Sequence, residues 1–409
     1  MSDRYDYDIV VVGGGPAGSS AALAASKNGM KVALIEKEES IAESVRTSGV
    51  TWIQNIKEFG IPDDCYNPVK NFVFYSPNNK VSIGDKIARS AVLDVRKTYR
   101  WLASQAEKEG AETFVDTFVK DAIKDESGKI IGVKAIRYEK EVEFYGKVII
   151  DASGFQSTVA KSMGFVEQWE RFGAGAEYEA KVEHVQADTW WLMVGQKYSP
   201  AGYAWIFPLG DNIARIGVGI GKPDSPVDPI ARLKELIKNK EGPIADLGKI
   251  EPIEFHMGLI PNDGLSRKTV YDNLILVGDS AGQANPLVLE GIRYAIKFGR
   301  IAGEVAAKAI KANDTSEKKL SEYEDNWKKA IESKIKSAGK VQDRWIGLTD
   351  EDWDKELDII SELKPEEFLD FIKADFGLSN MLKLATSHPK LAVRQLFSMV
   401  KKQAKKNNH

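Results

Sequence analysis

The sequence is poor in the residues that hold metals and crosslinks. Its one cysteine, Cys65, excludes an internal disulfide, an iron–sulfur cluster held by the chain's own cysteines and a cysteine-rich zinc site. Its four histidines show no metal-ligand spacing, which weakens the case for a metal centre further. Neither sign of charge is in excess: a net charge of -3 gives no general case for a nucleic-acid partner. No apolar run is long enough to cross a bilayer and no signal-peptide pattern is present, so a cytoplasmic protein is expected. At 409 residues the chain exceeds one ordinary core, and two intimately joined domains plus an appendage are expected.

Glycine, by contrast, is plentiful and patterned. Tyr7 to Val12 is a short β-branched run that ends in Gly13-Gly14-Gly15-Pro16-Ala17-Gly18; an Ala-rich helical pattern follows to Asn28-Gly29, and a second run, Lys31 to Ile35, stops at Glu36. This reads as strand, tight turn, helix and parallel strand. Gly13, Gly15 and Gly18 fill the GxGxxG pattern, in which the first permits a sharp turn, the second lets backbone approach a pyrophosphate and the third lets helix pack on strand. The phosphates would sit at the helix N-terminus, where unpaired N–H groups and the dipole favour anions. Glu36 is placed to accept hydrogen bonds from an adenosine ribose; the plain alternative is a surface acid after a glycine turn.

Two later strands end in the same way. Val148 to Ile150 leads into Asp151-Ala152-Ser153-Gly154, and Asn273 to Val277 leads into Gly278-Asp279-Ser280-Ala281-Gly282, with a helix beginning near Glu290-Gly291-Ile292. Three returns to one sheet fit a long cofactor lying across several strand ends, with Asp279 bonding a polyol and the helix start offering N–H groups to an electron-rich ring. Between them, Arg46-Thr47-Ser48-Gly49 either lets a flat ring approach the backbone or caps a helix from Val50 to Phe59. Arg96 opens a helix that runs to Lys108-Glu109-Gly110, where a cation opposes the dipole; it is either an anion contact or a solvated side chain. Glu112 to Lys124, Ile130 to Tyr138 and Glu141 to Ile150 read as a β-meander.

A second domain is expected from Gly164 to Asn273, with Trp190 to Val194, Tyr203 to Pro208 and Ala214 to Ile220 as its sheet. Tyr203, Trp205 and Phe207 alternate and so share a face, either as an aromatic wall against an apolar substrate or as ordinary sheet core. The charged tail is helical. In its final helix Val393, Leu396, Phe397 and Val400 form a stripe followed by Lys401, Lys402, Lys405 and Lys406, which suits either an anionic membrane surface or docking on the protein itself.

Taken together, these segments resemble the FAD-dependent geranylgeranyl reductase family, within the para-hydroxybenzoate hydroxylase-like flavoproteins. The residues that carry the resemblance are Gly13 to Gly18 with Glu36, the Val95-Arg96 segment, Asp151 to Ser157, the YxWxFP stretch Tyr203 to Pro208, and Gly278 to Gly282 with Asn285-Pro286-Leu287 and Gly291-Ile292. The resemblance implies an α/β fold in which a Rossmann-type FAD-binding domain, residues 1–163 with 274–312, is interleaved with an α+β substrate domain, residues 164–273. A helical C-terminal region, residues 313–409, follows. It implies FAD in an extended pose, with Ala17 by the pyrophosphate, Glu36 at the ribose and Val119 near adenine. Arg96 and Asp279 would contact the phosphate and ribityl portion, and Gly291, Ile292 and the Thr47-Ser48-Gly49 loop would face the ring. Tyr203, Trp205 and Phe207 would line an isoprenoid tunnel.

The implied reaction is saturation of prenyl carbon–carbon double bonds, with electrons from an external donor such as reduced nicotinamide or ferredoxin. A flavin monooxygenase or halogenase on the same scaffold, and a non-catalytic prenyl-binding carrier, are the alternative readings. Two departures concern the chemistry. Archaeal lipid reductases of the family commonly carry a cysteine where this chain has Thr47-Ser48-Gly49, and a glycine run where it has Leu289-Glu290. Glu290 is accordingly the candidate proton donor if it faces the ring; if it turns away, it pairs with Arg293 or caps the first-turn amides.

Overall fold

The structure is a computed structural model, and it describes residues 3–374. The tail helix expected around Val393 to Val400 lies outside the described residues.

Ile9–Val12, Val32–Ile35, Val148–Asp151 and Leu274–Leu276 are buried at every position. Such uniformly apolar runs fit only a parallel sheet covered on both faces. They form its centre, in the order Val270–Tyr271, Leu274–Leu276, Val148–Asp151, Ile9–Val12, Val32–Ile35, Glu112–Phe114, and only Val270–Tyr271 runs antiparallel. The register aligns Leu276, Asp151, Val12 and Ile35, so the turns that follow all open along one edge.

Helices Pro16–Lys27, Val95–Lys108 and Ile292–Lys311 cover one face of this sheet. Glycine brings two of them close: a Cβ at Gly303 would stand 2.2 Å from the Ala21 carbonyl oxygen. A four-stranded sheet, Asp3–Asp6, Lys140–Tyr145, Ile130–Arg137, Thr117–Lys124, covers the other face. The expected meander is therefore shorter than its sequence pattern. Its outer parts, Glu112–Phe114 and Val148–Asp151, leave it for the parallel sheet, where Glu112–Phe114 pairs with Val32–Ile35 and the buried run Val148–Asp151 pairs with Ile9–Val12. Val50–Trp52 is likewise a strand, paired with Ser90–Leu93, and the helix expected from Val50 starts at Ile53.

The second half is a seven-stranded sheet, in the order Ile250–Pro261, Phe172–Val182, Ile213–Lys222, Gly202–Gly210, Thr189–Val194, Asn71–Tyr75, Lys80–Gly84. Its last two strands come from residues 71–84, so the expected first-domain stretch 1–163 contributes to both halves. Phe72, Phe74, Val81 and Ile83 are the reason: they bury against Trp190 and Leu192.

Alternation gives this sheet two different faces. Ala176, Ala180, Met193, Ala204, Ile206, Ile216, Val218 and Ile220 pack under helix Pro229–Lys238. The opposite face carries Gly173, Gly175, Gly217, Gly219, Gly221 and Gly258, bordered by Glu177, Arg215, His256 and the aromatic strand. The C-terminal helices dock on both halves: Tyr323 and Trp327 join the nucleotide-side core, whereas Trp353, Leu357, Phe368 and Leu369 join the core around Phe72 and Trp190.

Candidate active site

A cavity of about 1050 Å³ begins at the aligned strand ends and continues to the glycine face of the large sheet. At its first end Gly13 has φ +108°, and a Cβ there would meet the Ala152 carbonyl oxygen at 2.3 Å. Gly18 is equally constrained, since its Cβ would lie 1.8 Å from the Gly13 oxygen. A Cβ at Gly15 would meet nothing within 4 Å: this residue caps helix Pro16–Lys27 with no side-chain bond, leaving the helix N-terminus open to the cavity with Ala17 beside it.

Glu36 lines this end. Its Oε2 accepts from Gly14 N at 2.7 Å and its Oε1 from Glu38 N at 3.0 Å, so it braces the glycine turn as well as facing the cavity. Val119 lines the same end, with Lys161 and Ser162 near it, two residues absent from the sequence-based set.

Asp279 follows strand Leu274–Leu276 and lines the middle of the cavity. Its one open side faces that space, and burial everywhere else pushes its carboxyl up to about 6. Gly291, the N-cap of helix Ile292–Lys311, lies against it: a Cβ there would stand 3.3 Å from Asp279 Oδ1. Ile292, Thr47 and Ser48 complete this region. Gly49 lies behind the loop, with φ +81° and no room for a Cβ, which would meet Arg215 Nη1 at 2.9 Å. It lets Arg215 reach the Ser48 carbonyl at 2.9 Å.

Three expected residues sit elsewhere. Arg96 is not among the residues lining this cavity: its guanidinium pairs with Glu254 at 2.7 Å and donates to the Ala42 and Glu43 carbonyls, so it braces the loop beside the cavity. Glu290 is buried but turned away. Its Oε2 accepts from Arg293 Nε at 2.7 Å, and only its neighbours Leu289 and Gly291 line the cavity. Bonded to Arg293 and absent from the cavity wall, Glu290 does not face the ring, so the proton-donor expectation for it is withdrawn. Phe207 is core, packed with Trp190 and stacked on Trp205 at 5.9 Å.

Tyr203 and Trp205 do line the cavity, and the shared face of the three aromatics holds. The Trp205 indole lies over the glycines: a Cβ at Gly217 would meet its ring at 2.3 Å, at Gly219 at 3.5 Å and at Gly175 at 3.8 Å. None of these three glycines has positive φ, so the backbone does not require glycine there; the space does. Its Nε1–H donates to Glu177 Oε2 at 3.0 Å, and Glu177 Oε1 lies 2.9 Å from His256 Nδ1. Glu177 and His256 also line the cavity. The period-two patterns Gly173 to Glu179 and Arg215 to Gly221 were the sequence signal for this floor.

Tyr203 adds a strap, donating from its hydroxyl to the Val288 carbonyl at 2.6 Å. Tyr203→Phe is expected to cost about 1 kcal/mol of stability with flavin content unchanged. Thermal melts of the two proteins check this, and equal midpoints would show that the strap carries no load.

Comparison with known proteins agrees with this geometry. Residues 8–188 match the FAD dependent oxidoreductase family, and residues 174–260 match the geranylgeranyl reductase catalytic domain. The digeranylgeranylglycerophospholipid reductase of Methanocaldococcus jannaschii is 37% identical over 364 residues, covering 87% of this chain and 90% of that protein. The structure of a geranylgeranyl bacteriochlorophyll reductase-like protein from Thermoplasma acidophilum superposes with a TM-score of 0.85 at 28% identity, over 97% of this chain and 99% of that one. A flavin-dependent brominase shares the fold alone, with a TM-score of 0.60 at 21% identity over 78% of this chain and 83% of its own. Fold and cavity thus define an FAD-dependent oxidoreductase. Within that class the chain belongs to the geranylgeranyl reductase family, and its reaction is the saturation of prenyl carbon–carbon double bonds.

Proposed function

We propose that the substrate is a glycerophospholipid carrying geranylgeranyl chains, the class that the name of the Methanocaldococcus relative specifies. The observation that carries the reading is the glycine-rich wall beside Trp205, where Gly173, Gly175, Gly219, Gly221 and Gly258 line a cavity continuous with the cofactor arm. Beyond it, Ala201, Gly202, Tyr203 and Leu289 also border a small apolar chamber of about 70 Å³ under the C-terminal helices, lined by Leu192, Trp345, Trp353 and Phe371, which continues the apolar wall.

The residues of the first arm fit FAD. Gly13, Gly15 and Ala17 would hold the pyrophosphate at the open helix N-terminus, Glu36 the ribose and Val119 the adenine. Asp279 would accept from the ribityl hydroxyls, and Thr47, Ser48, Gly291 and Ile292 would border the ring. FAD reduced by an external donor supplies the hydride. The chain's own task is to hold an isolated alkene, which has no electron sink, close to that hydride and away from water. Trp205 and the glycine floor position it, and the apolar chamber excludes solvent.

Ile253, Phe255, Met257 and Leu259 are exposed along edge strand Ile250–Pro261, and the last two also border the cavity. Among the described residues no helix is long and apolar enough to cross a membrane. The stripe supports uptake of the lipid from a bilayer surface, which sedimentation with anionic vesicles checks. Anaerobic incubation with dithionite and the unsaturated phospholipid, followed by mass spectrometry, tests the reaction. Mass gain in units of two hydrogens on the prenyl chains is expected. Reduced enzyme that leaves the lipid unchanged but inserts oxygen into a substrate in air would favour the monooxygenase reading instead.

A further inference from the structure

Four residues border both the main cavity and the small chamber under the C-terminal helices: Ala201, Gly202, Tyr203 and Leu289. Only the last two carry long side chains. Tyr203 is tied by its hydroxyl to the Val288 carbonyl, which leaves Leu289 as the plug between the two spaces. We propose that Leu289 is the stop against which the far end of the bound chain rests, and that it thereby decides which double bond lies at the flavin; the second clause rests on the prenyl-reductase reading.

The local sequence is arranged around this one side chain. Leu289 has φ +47°, a left-handed conformation that suits glycine and strains a leucine. Gly173, on strand Phe172–Val182, shows the opposite mismatch: it has no positive φ and a strand favours a side chain there, yet a Cβ would stand 2.2 Å from Leu289 Cδ1. Leucine stands where glycine would be relaxed, and glycine where a side chain would be. Both departures from local preference serve to set the leucine tip against the floor of the cavity.

Beneath that tip runs a row of small residues. Gly173 pairs with Gly221, and the Gly221 N–H donates to the carbonyl of Ala201, the neighbour of Gly202, at 3.0 Å. No side chain on this row is larger than a methyl group, so the passage is filled from above, by Leu289.

The loop that carries the leucine is held from several sides. Asn285 N donates to the Glu290 carbonyl at 2.9 Å and Asn285 Nδ2 to the Ile372 carbonyl at 2.8 Å, while Gln342 Nε2 donates to the Pro286 carbonyl at 2.6 Å. None of these bonds uses the Leu289 side chain. It can therefore be shortened without releasing the loop.

A stop at this place sorts double bonds by their distance from the end of the chain. A phosphorylated headgroup is excluded from a chamber lined by Leu192, Trp345, Trp353 and Phe371, so the hydrocarbon end leads. Gly291 and Ile292, proposed to border the ring, follow Leu289 closely in the chain, so the bond presented there is one near that end. Bonds nearer the headgroup reach the ring only if the end advances past Leu289.

Leu289→Gly is the test, because it relaxes the backbone and, with the chamber behind it, opens room for about one isoprene unit. The first readout needs no turnover: saturated straight-chain alcohols of increasing length are titrated against the FAD-loaded enzyme by tryptophan fluorescence. In wild type the affinity is expected to rise about fourfold per methylene up to a limiting length. That limit should move out by about four carbons in Leu289→Gly and inward in Leu289→Phe. The second readout uses reduced enzyme and the unsaturated phospholipid, with the saturated bonds located by fragmentation in the mass spectrometer at partial conversion. Wild type is expected to saturate the bond nearest the headgroup last, and Leu289→Gly to raise its rate relative to the terminal bond about tenfold. Should Leu289→Gly not fold, Leu289→Ala takes its place with a smaller shift in the same direction. A limiting length that is the same in wild type and folded variants overturns the stop, and an unchanged order of bond reduction overturns its role in choosing the bond. Wild-type enzyme that reduces no prenyl lipid overturns the functional reading instead, and the alcohol titration still decides the stop.

Discussion

Gly217→Val is expected to lower turnover on a prenyl lipid by about 100-fold while FAD stays bound. Valine suits the strand itself: Gly217 has ordinary extended backbone, and β-branched residues are favoured there. The conflict is entirely with the neighbours, because the new Cβ would lie 2.3 Å from two indole carbons of Trp205 and 2.7 Å from Glu177 Cβ. Trp205 must leave the floor, which breaks its 3.0 Å bond to Glu177 and displaces the wall proposed to position the alkene. Because Gly217 lies under the indole and not among the cavity-lining residues, the cofactor arm is untouched. Steady-state turnover beside flavin absorbance separates the two effects. Normal turnover in a folded variant would show that Trp205 does not position the substrate.

How much of this site the sequence disclosed depended on the kind of signal. The three strand-end turns were legible because each follows a short apolar run directly with a glycine-containing turn, joined at Asp151 and Asp279 by an acid. Tyr203 and Trp205 were legible through alternation. Phe207 obeys the same alternation and is core, since period two fixes a face but not what covers it. Arg96 shows the limit of reasoning from a helix end: its long side chain reaches Glu254, 158 residues away, and no local pattern encodes that partner. Residues 71–84 joined the large sheet through pairing with Thr189–Val194, another long-range choice made by packing. The glycine floor was written openly in Gly217, Gly219 and Gly221, but glycine in a strand reads first as a weakness, and only the indole lying over it gives the spacing a purpose.

Asp279→Asn is expected to move two observables in opposite directions. Burial alone raises the Asp279 carboxyl from 3.8 to about 6 in the folded protein without cofactor. A raised folded value means that the stability linked to this group is fully present below about pH 4 and is lost as pH rises through about 6. At 1.36 kcal/mol per pH unit, that shift corresponds to on the order of 3 kcal/mol, carried by the cofactor-free protein at pH 8 as the cost of a buried charge. Asparagine removes the charge and nearly keeps the shape, so the cofactor-free variant should melt higher than wild type at pH 8 and no higher at about pH 4. Flavin binding should respond in the other sense. The proposed ribityl contact offers the carboxylate the hydroxyl donors it lacks, and charge-assisted bonds of this kind contribute about 1.5–3 kcal/mol. The variant should therefore bind FAD roughly 10- to 150-fold more weakly, and its affinity should lose the rise through about pH 6 that wild type shows as Asp279 ionises. Melts of the cofactor-free proteins at the two pH values, with FAD titrations beside them, check both halves. Equal melting at pH 8 would mean that the carboxylate carries no burial cost, and unchanged FAD affinity would place the ribityl chain elsewhere in the cavity.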